Sequence, residues 1–150
     1  MTCSLSEILK YKNIHVLNRY QKDFPNAMLS AEEAFKELLK YIWLTAKHDD
    51  ERKNNPLDSA LDFRCLMHEE MFDIDNMWHT FLLFTKDYHD FCKYYLQDGF
   101  LHHYPLIDEE KQQAASDYTN ELDLYLSYIY NHLGAETLRK WFLVDLTDML

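Results

Sequence analysis

The chain has 150 residues, of which 47% are hydrophobic, 15% are aromatic and 27% are charged. A chain of this length buries roughly 70% of its unfolded surface as one domain, and the composition argues against an intrinsically disordered protein. The net charge of -11 argues against nucleic acids and anionic membranes as partners, so we expect a protein partner with a neutral or basic surface.

Turn-forming residues are scarce, because glycine occurs at two positions and proline at three. Hairpins and sheets need many such residues, whereas long helices joined by few corners do not. We therefore predict an all-α fold in which residues 1–150 form a single helical domain, a compact array of about six helices.

In the first half of the chain, apolar residues at three- and four-residue intervals predict one or two helices before Pro25. Ser30 begins a capping box, and the helix that follows is predicted from about Ala31 to His48. The polar run over residues 49–56 is predicted to be a solvated loop. A further helix, capped by Asp58, is predicted over residues 58–70.

In the second half, Asp73 and Thr85 offer caps for two segments that form either one helix or two helices joined by a tight bend. Gly99 suits the left-handed residue that ends such a helix. A long helix is predicted from Asp108 to Gly134, and a last helix follows it. The apolar positions of that last helix include Leu138, Trp141, Phe142 and Met149.

The three cysteines, Cys3, Cys65 and Cys92, are scattered and include no CxxC pair, which favours a reducing compartment. The amino terminus lacks a basic start followed by an apolar run. The longest apolar stretch near the centre covers residues 81–84, far short of the roughly 20 residues that span a bilayer. A cytoplasmic location is expected, with export that needs no signal peptide as the alternative.

Chemically capable residues are densest between positions 74 and 105. On a helix, His79 lies one turn after Asp75, so the carboxylate can orient the imidazole and leave its other nitrogen to bind a metal. Convergence of His79 with Cys92, His102 and His103 would suit zinc or another transition metal. The plainer interpretation is a helix cap, one satisfied histidine and an inert core thiol, since the spacing matches no recognised zinc pattern.

A catalytic triad of Cys92, His79 and Asp75 is disfavoured, because all three lie on predicted helices and no glycine-rich oxyanion hole stands near. His68 begins no metalloprotease motif, since no second histidine follows it four residues later. No catalytic residue is assigned, and the pattern favours a binding protein over an enzyme.

Tyrosines in the second half are too numerous to be buried on one side of two helices, so some are expected to face solvent. Exposed aromatic residues are typical of the centres of protein interfaces. The tyrosines concerned are Tyr94, Tyr95, Tyr104, Tyr118, Tyr125, Tyr128 and Tyr130.

Residues 74–105 also resemble a family of largely uncharacterised helical proteins related to the amino-terminal module of glycine-rich-domain-containing proteins. The matching residues are Ile74, Asp75, Trp78, His79, Leu83, Thr85, Tyr88, Phe91, Cys92, His102, His103 and Pro105. The resemblance implies an all-helical domain without an established reaction, and it singles out His79, Cys92, His102 and His103. Ile74 replaces the usual valine, Gly99 lies closer to the histidine pair than in the family, and the glycine-rich tail is absent.

Two functions follow as hypotheses. The first is a protein-binding or regulatory module without a cofactor, with Asp75, Trp78 and Tyr88 as binding residues and a buried or half-buried histidine cluster. The second is a zinc-like metal-binding protein, with a metal-dependent hydrolase as one form of it, in which His79, Cys92 and His102 or His103 are the ligands.

Overall fold

The computed structural model describes residues 3–97, 99–103 and 118–142, and all regular structure in these ranges is helical. The predicted all-α fold is confirmed. The α-helices in these ranges are α1 (Leu5–Ile8), α2 (Ile14–Asp23), α3 (Ala31–Asn54), α4 (Phe72–Leu83), α5 (Thr85–Tyr95), α6 (Tyr118–Leu133) and α7 (Ala135–Phe142). Residues 108–117 of the long predicted helix, together with Tyr104, Pro105 and Met149, lie outside the described residues.

Helix α3 is the centre of the fold, since it contacts α1, α2, α4 and α6. Its start follows from the sequence, because the Ser30 hydroxyl accepts the amide hydrogen of Glu33 at 3.2 Å. The apolar side of α3 is fully buried at Leu38, Ile42 and Leu44. Helix α4 therefore packs against the buried apolar face of α3.

The predicted end of α3 at His48 is wrong, because the helix continues to Asn54 and takes in most of the predicted loop. Two ion pairs of the i,i+4 type stabilise this polar extension, Lys47 with Glu51 at 2.7 Å and Asp49 with Lys53 at 2.9 Å. Basic residues in the last turn also match the negative end of the helix dipole. The polar sequence excluded burial of this segment but did not exclude a helix.

The helix predicted over residues 58–70 is also wrong. This segment contains only two short 3₁₀ turns, Ser59–Leu61 and Glu69–Met71. Side chains of α3 bind its backbone instead, since the Tyr41 hydroxyl donates to the Cys65 carbonyl at 2.6 Å and Arg52 donates to the Phe63 carbonyl at 3.1 Å. These bonds satisfy carbonyl groups that would otherwise need intrahelical partners.

Asp73 does not cap α4, contrary to prediction, because the helix already begins at Phe72. The Asp73 carboxylate is 6% exposed and accepts the amide hydrogens of Met28 and Leu29, each at 2.9 Å. Asp73 therefore connects the loop before α3 to the start of α4. Its carboxylate satisfies two backbone amides that are distant in the chain and does not cap its own helix.

The break between α4 and α5 is a tight bend at Phe84, with φ -93° and ψ 67°. Thr85 is the first residue of α5 and its side chain makes no capping hydrogen bond, so the predicted cap is wrong. The bend turns α5 back against α4.

The left-handed residue after α5 is Gln97, with φ 50°, and not Gly99 as predicted. Gly99 is restricted by space instead, because a Cβ atom there would lie 2.8 Å from the carbonyl oxygen of Leu96. Gly134 does end α6 with φ 89°, as predicted.

No helix within the described ranges is both long and apolar enough to cross a membrane.

Replacement of Arg52 tests whether α3 holds the segment that follows it. We expect Arg52→Ala to lower the free energy of unfolding by about 1 kcal/mol, because the Phe63 carbonyl and Asp62 lose their partner. Lys53→Ala, which removes only an exposed pair in the same turn, is the matched control and is expected to change little. Urea unfolding followed by circular dichroism measures both, and equal effects would contradict this role of Arg52.

Candidate metal site

Three side chains capable of binding a metal ion meet between α4 and the segment after α5. Asp75 and His79 lie one turn apart on α4, with 3.7 Å between Oδ1 of Asp75 and Nε2 of His79. His103 brings its own Nε2 to 2.6 Å from the same Oδ1 atom. All three ligand atoms lie within 4.8 Å of one another.

The cluster lies at the protein surface but is not uniformly exposed. The side chain of His79 is 56% exposed, that of Asp75 31% and that of His103 18%. The two imidazole rings are neighbours, with centroids 4.5 Å apart and planes tilted by 33°. The group therefore has an inner side, formed by His103 and Asp75, and an outer side at His79 that faces solvent.

The Asp75 carboxylate is held in its charged form. Burial alone would raise its pKa, but the hydrogen bond from His103 and the charges of His79 and His103 outweigh burial and place the pKa below its usual value. A carboxylate with a lowered pKa is ionised at neutral pH and can therefore serve as a ligand for a cation.

Trp78 supports the inner side of the cluster. Its side chain is 4% exposed, and its ring centroid lies 4.3 Å from that of His103. The indole nitrogen donates to the hydroxyl of Tyr88 at 3.1 Å, and that hydroxyl donates to the backbone carbonyl of Leu101. Because Leu101 precedes His103 by two residues, this chain of hydrogen bonds fixes the segment that carries the imidazole.

The phenol of Tyr88 is a reliable donor in this chain. Tyr88 is 1% exposed, and burial, with a smaller contribution from the neighbouring Cys92, raises its pKa far above the usual value. The group therefore keeps its proton throughout the physiological pH range. Trp78 and Tyr88, predicted as binding residues, are buried side chains that position the cluster.

Cys92 is fully buried and is not part of the group of three. Burial raises the pKa of its thiol, although its hydrogen bonds to the Leu101 backbone and to Tyr88 oppose this. Only a thiolate binds metal well, so this environment disfavours ligation by Cys92.

His102 is exposed, with its ring 4.6 Å from that of Phe100, and it too lies outside the group. Of the four predicted ligands, the structure brings together His79 and His103, and Asp75 completes the set. The sequence signal for Asp75 was its spacing from His79. Its closer partner is nevertheless His103, which no local spacing indicates.

Comparisons with protein-family models, with curated proteins and with solved structures found no match to this chain.

The hydroxyl of Tyr88 is open to a direct test. We expect Tyr88→Phe to lower the free energy of unfolding by about 2 kcal/mol, because the Leu101 carbonyl and the Trp78 indole both lose a partner in a buried place. Tyr94→Phe is the matched control on the same helix, since Tyr94 is 78% exposed. Urea titration of both variants decides the point, and a Tyr88→Phe protein as stable as the control would refute this account.

Proposed function

We propose that this chain binds a divalent transition-metal ion through Asp75, His79 and His103. The observation that carries the proposal is the convergence of three ligand atoms, two imidazole nitrogens and a carboxylate oxygen, within 4.8 Å of one another. Zinc is the first candidate, because imidazole and carboxylate are among its usual ligands.

The separations in the cluster are close to those that a bound ion requires. A tetrahedral ion with bonds of about 2.0 to 2.1 Å holds its ligand atoms roughly 3.3 Å apart. The two distances from Oδ1 of Asp75, 2.6 Å to Nε2 of His103 and 3.7 Å to Nε2 of His79, lie on either side of that value. Small side-chain rotations are enough to admit the ion, which then replaces the proton shared between Asp75 and His103.

The simpler alternative is a hydrogen bond that joins α4 to the segment after α5 and has only a structural role. Such a bond needs only Asp75 and His103, whose atoms are already at hydrogen-bond distance. It gives no reason for His79, a largely exposed imidazole placed beside the other two groups. Three lone-pair donors around one point are what a metal ion needs, so the position of His79 favours metal binding.

The surrounding structure is suited to a preformed site. Asp75 and His79 share one turn of α4, and the segment of His103 is bound by Tyr88 through Leu101. Ligands held by their neighbours lose less conformational entropy when an ion binds. The proposed relationship to the glycine-rich-domain family is compatible with this site, since His79 and His103 belong to the residues that carry the resemblance.

Metal titration tests this function. Untagged protein freed of metal with a chelator is expected to bind one equivalent of Zn²⁺ in calorimetry, and His79→Ala is expected to lower the affinity by about 10-fold or more. His89→Ala on α5, which removes a 67% exposed histidine outside the cluster, is the matched control.

His102→Ala is the second control and separates the adjacent histidines. It is expected to bind Zn²⁺ like the unmodified protein, because His102 lies outside the group. Absence of stoichiometric binding would remove the proposal, and a loss on His102→Ala equal to that on His79→Ala would assign the ion to different ligands.

A second candidate function is binding of another protein, and exposed aromatic residues favour it. Tyr94 is 78% exposed and Tyr130 is 55% exposed, whereas Tyr125 and Tyr128 are buried. Large exposed aromatic side chains are common anchors at interfaces, and the net charge favours a partner with a neutral or basic surface.

Pull-down from extract tests this candidate with Tyr94 as the variable residue. We expect a specific bound protein to be retained by the unmodified chain and lost on Tyr94→Ser, because substitution removes the aromatic anchor. If the chain is monomeric and the unmodified and Tyr94→Ser proteins retain the same set of bound proteins, protein binding through Tyr94 is contradicted.

A further inference from the structure

We propose that a groove between the start of α2 and α3 binds a small amphiphilic anion of the fatty-acid type, an apolar chain that carries one carboxylate. The residues that line the groove come from the segment after α1, from α2 and from the amino-terminal half of α3. None of them belongs to the metal cluster. This second site is therefore independent of the proposed metal site.

The groove has the size and the apolar walls of a small-molecule site. Its volume is about 430 Å³, which lies within the roughly 300 to 1,000 Å³ of most ligand pockets. The buried side chains of Phe35 and Leu39 line it from α3, and the half-buried Leu9 and Leu17 line it from the segments around the start of α2. A hydrocarbon chain placed there removes apolar surface of both molecules from water.

Two lysines give the groove its positive charge. Lys12 and Lys36 both line it and both are exposed. Among the residues that the structure describes, neither lysine has an acidic partner within ion-pair distance. Asn13 at the same edge caps α2, so the positive end of that helix dipole also lies beside the groove. Both ammonium groups are therefore available to an anionic head group.

The charges at the groove favour a ligand with a single negative charge. Glu32 is the one acidic residue among those that line it, so two ammonium groups face one carboxylate. Asp87 does not line the groove, and its carboxylate accepts a hydrogen bond from the Asn13 amide at 3.0 Å. This local excess of positive charge contrasts with the net charge of -11 on the whole chain. A monoanion matches the excess, whereas a phosphate with two charges exceeds it.

The length of the groove indicates a chain of moderate length. Its lining residues on α3 run from Glu32 to Leu39, which corresponds to about 10 Å along the helix axis. Apolar Phe35 and Leu39 alternate there with the exposed Lys36, so an apolar chain and a charged head group find partners on one side of one helix. Decanoate, whose extended chain has a similar length, is therefore a suitable probe.

Calorimetric titration with three ten-carbon probes tests the proposal, at concentrations at which the probes form no micelles. Decanoate, decanol and decyltrimethylammonium share one chain and differ in the charge of the head group. We expect one equivalent of decanoate to bind, and both other probes to bind about 10-fold more weakly or less. The net charge of the chain would give the opposite order for unspecific adsorption, since it attracts the cation.

Charge reversal locates the site. Lys36→Glu is expected to lower the affinity for decanoate by about 10-fold or more, because it replaces an attraction at the groove by a repulsion. Lys22→Glu is the matched control, since Lys22 is an exposed residue of α2 that does not line the groove. It makes the same change in net charge and is expected to bind decanoate like the unmodified protein.

Four results would overturn the proposal. They are absence of decanoate binding, binding of decanol or the cation as tight as that of decanoate, and equal losses on Lys36→Glu and Lys22→Glu. The fourth is a dimer in size-exclusion chromatography that Lys36→Glu dissociates, because a second copy of the chain would then occupy the groove. Zinc titration of the same variants is expected to be unchanged, so failure here leaves the proposed metal site untouched.

Discussion

The Tyr88 hydroxyl lies between the indole of Trp78 and the backbone carbonyl of Leu101, and the position of His103 depends on it. Residues 99–103 contain no regular secondary structure, so their polar backbone groups must find partners elsewhere. Tyr88 supplies one of these partners from α5, since its hydroxyl donates to the Leu101 carbonyl. A segment bound in this way can present an imidazole at a fixed place beside α4.

The same constraint explains other parts of the fold. Asp73 binds the amides of Met28 and Leu29, and Tyr41 binds the carbonyl of Cys65, each across a long separation in the chain. Near the carboxyl end of the described residues, the indole nitrogen of Trp141 donates to the buried carboxylate of Glu37 at 3.1 Å. Polar side chains thus join the helices to one another and to segments without regular secondary structure, and at the surface cluster Asp75 binds His103 in this way.

The sequence determined the features that depend on near neighbours. Apolar spacing near 3.6 residues predicted the α-helices of the described ranges, although it also predicted one over residues 58–70 that does not form. Ser30 identified the start of α3, and Gly134 identified the end of α6. The four-residue spacing of Asp75 and His79 also placed both on one face of α4. These predictions succeed because the controlling interactions, the turn of a helix and its caps, span only three or four positions.

Tertiary structure decided what depends on residues far apart in the chain. It left residues 62–68 without a helix, and it placed His103, but neither His102 nor Cys92, beside Asp75 and His79. Each outcome depends on a hydrogen bond or a burial environment whose partner lies on another element. The spacing of apolar residues within one helix contains no information about which residues of other elements lie beside it. The sequence therefore shows that Asp75, His79 and His103 are able to bind a metal, but only the tertiary structure shows that they lie together.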